Sequence, residues 1–155
     1  MMRTRGAIFF LAIAAMLVAA QAAAALEQTS GVGQTHESAT LGFTAKSDNS
    51  GELTYAVDDG TFWVHCKRFS SYERTESPKG YPKVTITARK CFRKNGAQRF
   101  LRAVFIDRGE PGIAWDIARI LWSRTWPATP ETATRKDRGR ITAGNIQILQ
   151  DTASS

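Results

Sequence analysis

The stretch from Lys83 to Asp107, KVTITARKCFRKNGAQRFLRAVFID, decides the fold class of this chain. Its first half alternates apolar Val84 and Ile86 with threonines, which is the period-two pattern of a half-buried β-strand. Asn95-Gly96 follows, a dipeptide that favours a tight hairpin turn because both residues tolerate positive φ. A second apolar-rich run then extends to Asp107. The stretch therefore predicts an antiparallel hairpin.

The same signals recur on both sides of this hairpin. Leu53, Tyr55 and Val57 alternate with polar or small residues, and Asp59-Gly60 then provides a second hairpin signal. Short strands separated by turns about every ten residues are typical of all-β folds. We therefore predict an all-β fold, an antiparallel β-sandwich or barrel of about six to eight strands. The further strand candidates are Thr40–Ala45, Phe62–Cys66 and Ile141–Leu149.

Three other regions give less regular patterns. Ser70–Pro82 is polar and contains two prolines, so it is predicted to be a long loop. Ile113–Trp122 fits one face of a helix, and it fits equally a strand that is buried on both faces. Gly144, inside the last strand candidate, indicates a β-bulge or a close approach of another backbone.

The two ends of the chain differ in composition from its middle. Residues 1–25 combine Arg3 and Arg5, an uncharged apolar run and small residues before a cleavage point, which predicts a secretory signal peptide. Residues 26–38 are rich in Gly, Ser, Thr and Gln and are predicted to be a flexible leader. Residues 39–150 then form a single β domain, and residues 151–155 a polar tail. We expect a secreted or periplasmic protein with no integral membrane span after signal cleavage.

Two cysteines, Cys66 and Cys91, are present. In an oxidising compartment such a pair usually forms a disulfide. The strand alternation places Cys91 on the face opposite to Val84 and Ile86, so the pairing requires a β-bulge near Arg89-Lys90. We therefore predict a Cys66–Cys91 disulfide together with that bulge.

The chain is basic, with a formal net charge of +7. Residues 67–108 contain 12 Lys or Arg and three acidic residues, a local excess of +9. Such a patch attracts anionic polysaccharide, a cell surface or nucleic acid. The alternative is a solvated strand face on which the charges prevent edge pairing. The predicted binding residues are Lys67, Arg68, Arg89, Lys90, Arg93, Lys94, Arg102 and an exposed aromatic residue, Trp126.

Tryptophans cluster with arginines between residues 113 and 126. If this segment were a helix, Trp115, Trp122 and Trp126 beside Arg119 and Arg124 would be typical of a membrane-active protein. The alternative is that Trp115 and Trp122 fill the core, as large aromatic residues usually do.

Three carboxylates surround one turn of the sequence. Asp107, Glu110 and Asp116 together offer the oxygen ligands that calcium prefers, although they fill less than half of its coordination shell. The alternative is that Asp107 caps the turn and Glu110 is solvated. Beyond this calcium hypothesis, no cofactor is expected.

Catalytic motifs are absent from the sequence. It contains no Gly-x-Ser-x-Gly, His-Glu-x-x-His or Cys-x-x-Cys spacing, and His65 stands alone in its strand. We therefore expect a secreted, non-catalytic binding module rather than an enzyme. The alternatives are a small secreted hydrolase that uses His65 and the membrane-active protein described above.

A family resemblance rests on motifs in a fixed order. They are Gly42-Phe43-Thr44-Ala45-Lys46, Gly51-Glu52-Leu53-Thr54-Tyr55, Asp107-Arg108-Gly109-Glu110-Pro111-Gly112 and Gly144-Asn145-Ile146-Gln147. In these motifs the chain resembles the post-choice-of-anchor (post-COAP) domain family of exported bacterial proteins, over residues 40–149. The resemblance implies a small β-rich extracellular module and no assigned activity.

Overall fold

Nine strands account for most of the chain in the computed structural model, which describes residues 26–109 and 115–149. The predicted signal peptide, the predicted polar tail and Glu110 lie outside these residues. Within them, no helix is long and apolar enough to cross a membrane. The strands are β1 (Gln28–Thr35), β2 (Ala39–Lys46), β3 (Gly51–Val57), β4 (Trp63–Cys66), β5 (Ser71–Glu76), β6 (Pro82–Arg93), β7 (Gln98–Ile106), β8 (Ile117–Ser123) and β9 (Ala133–Leu149).

Eight of these strands close into an antiparallel barrel. The hydrogen-bonded order is β4-β3-β2-β1-β9-β8-β7-β6, and a further pairing of β4 with β6 completes the circle. The strand β5 pairs only with the first half of β6, because β4 occupies the same edge of β6 further along. The all-β prediction is confirmed, with a barrel as its architecture.

The prediction of a flexible leader is wrong for Gln28–Thr35, which forms β1 between β2 and β9. The glycines that suggested flexibility allow close packing instead. A Cβ on Gly31 would lie 2.7 Å from the Phe43 ring, and one on Gly33 would lie 2.6 Å from the Ile141 side chain. Contacts this short exclude a larger side chain, so the glycine content of β1 follows from the narrow barrel interior.

The loop predicted for Ser70–Pro82 is also wrong in part, because Ser71–Glu76 forms β5. This strand covers little of the core, and only Tyr72, Arg74 and Thr75 are half-buried. It therefore lacks the apolar alternation that identifies a strand from sequence. Together β1 and β5 raise the strand number above the predicted six to eight.

The strand interpretation of Ile113–Trp122 is correct for its described residues, since Ile117–Ser123 forms β8. Ala118, Ile120 and Trp122 point into the barrel and are buried. The helical basis of the membrane-active hypothesis is therefore wrong.

Of the two interpretations of Gly144, the close backbone approach is confirmed, since a Cβ there would lie 1.9 Å from the Val32 carbonyl oxygen.

Inward-facing apolar side chains fill the barrel. The rings of Phe43 and Phe105 stack with centroids 3.9 Å apart, and Tyr55 packs 5.7 Å from Trp122. An eight-stranded barrel has an interior just wide enough for such side chains. Alternate residues of each strand consequently face solvent and are free to carry charge.

The predicted disulfide is confirmed, with the Cys66 and Cys91 sulfur atoms 2.07 Å apart. The predicted bulge is confirmed too, because the β6–β7 register shifts between Ala88 and Cys91. The two cysteines are direct partners across β4 and β6. The disulfide therefore links the two strands, β4 and β6, whose pairing closes the barrel.

Candidate functional site

A broad groove runs over the outer surface of β6, β7, β8 and β9, with a volume of about 970 Å³. We call it the basic face and define it by the six cationic residues that line it. Among residues 26–109 and 115–149, no acidic residue lines it. The six are Lys83, Arg102, Arg108, Arg119, Arg138 and Arg140.

Strand register brings these cations together from distant parts of the sequence. Arg119 on β8 lies directly opposite Arg138 on β9. Lys83 and Arg140 are the two ends of one row of paired residues that crosses the four strands. Every second residue of a strand shares one face, so each strand contributes its outward set. The barrel interior is filled from the other set, for example by Ala103 and Ile120, both fully buried.

The positive charge of the basic face is not neutralised by ion pairs. In residues 26–109 and 115–149, the ion pairs are Glu52 with His65 and Glu27 with Arg74, and neither involves a cation of the basic face. One carboxylate, that of Glu73 on β5, lies at the edge of the face opposite Thr85. Uncompensated charges of one sign in a groove raise the local concentration of anions.

Apolar side chains form the floor between the cations. Ile106 and Leu121 line the groove but are only 8% and 7% exposed. Long arginine side chains can cover apolar surface with their methylene groups while the charged ends stay in water. A ligand in the groove would therefore meet mainly guanidinium groups.

A group of two aromatic residues and one arginine borders the basic face. We call this group the aromatic step and define it as Phe100, Trp126 and Arg89. The Trp126 ring is 36% exposed and lies 5.9 Å from the Phe100 ring. The guanidinium carbon of Arg89 lies 4.5 Å from the centroid of the Trp126 ring. Such a cation–π contact attracts the guanidinium group of Arg89 to the indole ring.

The predicted binding residues are only partly brought together. Arg102 lies in the basic face, and Arg89 and Trp126 form the aromatic step. Arg93 instead donates a 2.9 Å hydrogen bond to the Thr61 carbonyl oxygen and lies over the Phe62 ring. The remaining four do not line the groove; they are Lys67, Arg68, Lys90 and Lys94.

Sequence reasoning missed the contributions of β8 and β9. Arg119, Arg138 and Arg140 lie outside the basic stretch of residues 67–108. The signal that could have found them is alternation, as in Ile117-x-Arg119-x-Leu121 and Lys136-x-Arg138-x-Arg140. Charge density along the sequence is a poor guide to the position of a charged surface, because a sheet brings together residues from several strands.

Two of the three predicted calcium ligands, Asp107 and Asp116, accept hydrogen bonds from the backbone instead. Asp107 accepts hydrogen bonds from the N–H groups of Gly109 and Ile148, both at 3.0 Å. Asp116 accepts from Arg108 at 2.8 Å and from Ile146 at 2.7 Å, and burial raises the pKa of its carboxyl group. Among residues 26–109 and 115–149, no three His, Cys, Asp or Glu side chains are placed to hold a metal. These contacts favour the turn-capping alternative.

His65 has polar neighbours on the outer surface of β4. Its Nδ1 lies 2.9 Å from the Thr54 hydroxyl, and its Nε2 lies 3.9 Å from a carboxylate oxygen of Glu52. A hydroxyl and an acid thus flank the imidazole, but His65 does not line the basic face. The hydrolase alternative stays a prediction.

No family model, curated protein or solved structure matches this chain. The post-COAP resemblance therefore stays a prediction from sequence motifs. The segments that contain the last two motifs lie side by side, because Asp107 of one motif accepts a hydrogen bond from Ile148, just after the other, and Asp116 accepts one from Ile146 within it. The turn after β7 and the end of β9 are joined by these two carboxylates.

Proposed function

We propose that this protein is a secreted, non-catalytic binding module that recognises anionic polymers through the basic face. The observation that carries the proposal is the groove of six cations, which no acidic side chain lines in the part of the chain that the structure describes. Secretion is supported by the signal-peptide pattern of residues 1–25 and by the Cys66–Cys91 disulfide.

The chemistry of the groove suits phosphate, sulfate or carboxylate groups. Five of its six cations are arginines, whose planar guanidinium groups form paired hydrogen bonds with such anions. As lined by the described residues, the groove extends over four strands and is open to solvent, so a chain can lie along it. A polymer that presents several anions can therefore contact several arginines at once.

The test is charge reversal on the basic face with a charge-matched control elsewhere. The variant Arg119→Glu/Arg138→Glu and the control Lys67→Glu/Arg68→Glu change the net charge equally, but only the first alters the groove. Binding to dextran sulfate, polyphosphate and oligonucleotides is measured at low and moderate salt.

We expect the groove variant to lose at least about tenfold in affinity, with a shallower salt dependence, because fewer counterions are released. The control should lose much less. Equal losses in the two variants, or no loss in the groove variant, would overturn the proposal. Circular dichroism of both variants establishes that the fold is retained.

A further inference from the structure

The aromatic step and the basic face form one continuous surface. Phe100 shares the outer face of β7 with Arg102, since Leu101 between them is fully buried. The loop after β8, residues 124–132, contains both Trp126 and Pro130, and Pro130 lines the groove. A polymer lying over the arginines therefore reaches the indole ring without leaving the surface.

The combination of a basic face with an adjoining aromatic step indicates a particular class of ligand. A basic groove that follows the backbone, with aromatic rings on which bases stack, is the arrangement that binds single-stranded nucleic acid. Arg89 adds a second planar group, held 4.5 Å from the centroid of the Trp126 ring. Flat bases extend a stack of planar groups, and both indole and guanidinium planes accept them.

Sulfated polysaccharide and duplex nucleic acid fit the surface less well. Sugar rings pack on an indole through their C–H groups, but they have no π system and do not add a further flat ring to Trp126 and Arg89 as a base does. The bases of a duplex are already paired and stacked, so their faces cannot reach Trp126. The charges of the basic face would attract both polymers, but neither would stack an unpaired flat base on the aromatic step.

We infer that the anionic polymer is single-stranded nucleic acid, with its phosphates on the arginines of the basic face and a base stacked at Trp126. This inference rests on the proposed function, and it adds the class of polymer and the role of the aromatic step. It predicts that affinity depends on bases as well as on charge.

The experiment compares four probes on the purified protein. They are an oligothymidine of about 12 nucleotides, an abasic oligomer of the same length, a duplex of the same length and dextran sulfate. Wild type, Trp126→Ala and Trp126→Phe are titrated at several salt concentrations. Phe92→Ala is the matched control, because Phe92 is 45% exposed and lies outside the groove.

We expect Trp126→Ala to lower the affinity for oligothymidine about tenfold, since one stacked base is lost. Its salt slope should stay unchanged, because no phosphate contact is removed. Affinity for the abasic oligomer and dextran sulfate should not change. Trp126→Phe should retain most of the oligothymidine affinity, and Phe92→Ala all of it.

Two results would overturn the inference while leaving the proposed function intact. One is equal affinity of the wild type for oligothymidine and for the abasic oligomer. The other is tighter binding of dextran sulfate or the duplex than of oligothymidine, with no effect of Trp126→Ala. Absence of binding to all four probes would overturn both proposals.

Discussion

Arg119 and Arg138 are direct cross-strand partners on the exposed outer face of β8 and β9. Neither forms an ion pair within the described residues 26–109 and 115–149. Like charges that lie directly opposite each other destabilise a sheet. The like charges of Arg119 and Arg138 thus lower the stability of the sheet, a cost that the proposed binding function would explain.

Replacing one of these arginines by an acid should stabilise the barrel. Arg138→Glu converts the like-charge pair into an opposite-charge pair, and we expect the free energy of unfolding to rise by about 0.2–1 kcal/mol. Urea denaturation measures the change. Lys94→Glu is the control, because Lys94 lies in the turn after β6 and should give a smaller change. A fall in stability for Arg138→Glu would contradict the prediction.

Asp116 should be important for stability because it joins the turn after β7 to β9. Asp116→Ala leaves the N–H groups of Arg108 and Ile146 without their acceptor. We expect the free energy of unfolding to fall by about 2–4 kcal/mol, since both hydrogen bonds involve a charged group. A loss below about 0.5 kcal/mol in urea denaturation would argue against this role.

The same carboxylate should also affect the pH dependence of stability. Burial raises the pKa of Asp116, so the folded chain binds this proton more tightly than the unfolded chain does. Its contribution to stability is therefore complete below the usual aspartate pKa and is lost as the pH rises through the raised value. The stability difference between wild type and Asp116→Asn should shrink over that range. A difference that grows with pH would contradict the assignment.

Tyr55 and Asp137 form a polar contact inside the barrel. The Tyr55 hydroxyl donates to Asp137 at 2.8 Å, and Thr35 donates to the same carboxylate oxygen at 2.6 Å. Tyr55→Phe removes one of the two donors to a buried carboxylate. We expect a loss of about 1–3 kcal/mol in the free energy of unfolding. Tyr81→Phe, in a half-buried tyrosine outside this network, is the comparison, and equal losses would count against the prediction.

Tyr55 should also make the barrel sensitive to alkali. Burial raises its pKa above that of a free tyrosine, so its contribution to stability is present below the ordinary tyrosine pKa of about 10. That contribution is lost as the pH rises further, because the unfolded chain then ionises more readily. Wild type should lose stability above this pH faster than Tyr55→Phe. Parallel pH profiles of the two proteins would contradict this.

The disulfide should account for a substantial part of the stability. Cys66 and Cys91 are separated by 25 positions, and a crosslink over such a loop contributes about 3 kcal/mol. Wild type in reductant should therefore match the Cys66→Ala/Cys91→Ala variant, and both should unfold at lower urea concentration than oxidised wild type. If reductant leaves the urea midpoint unchanged, the disulfide does not stabilise the barrel.

The fold was predictable where one strand face is apolar. The hairpin of β6 and β7 and the strand at Leu53–Val57 follow from alternation and turn residues. The strand β1 was not predictable in this way, because its inward positions include Gly31 and Gly33. Small residues are needed there by the narrow barrel, and from sequence alone they are typical of a flexible segment.

The site was less predictable than the fold. Net charge and the exposed Trp126 were visible in the sequence, and they indicated an anionic partner. The grouping of Arg119 with Arg138 depends on the register between β8 and β9, which is a property of the folded sheet. Likewise, the hydrogen bonds of Asp116 depend on β9 lying close to the turn after β7.

Hydrogen bonding between β1 and β9 determines when the barrel can be completed. Gln28 pairs with Leu149, so the second neighbour of β1 is the last strand to emerge during synthesis. Pairings between such distant segments form slowly, since a long loop must close before any contact is gained. During translation, β1 keeps one edge unpaired until β9 arrives, and an unpaired edge invites association with other chains. Completion of this barrel thus waits for β9, and until then the folding chain depends on protection of the β1 edge.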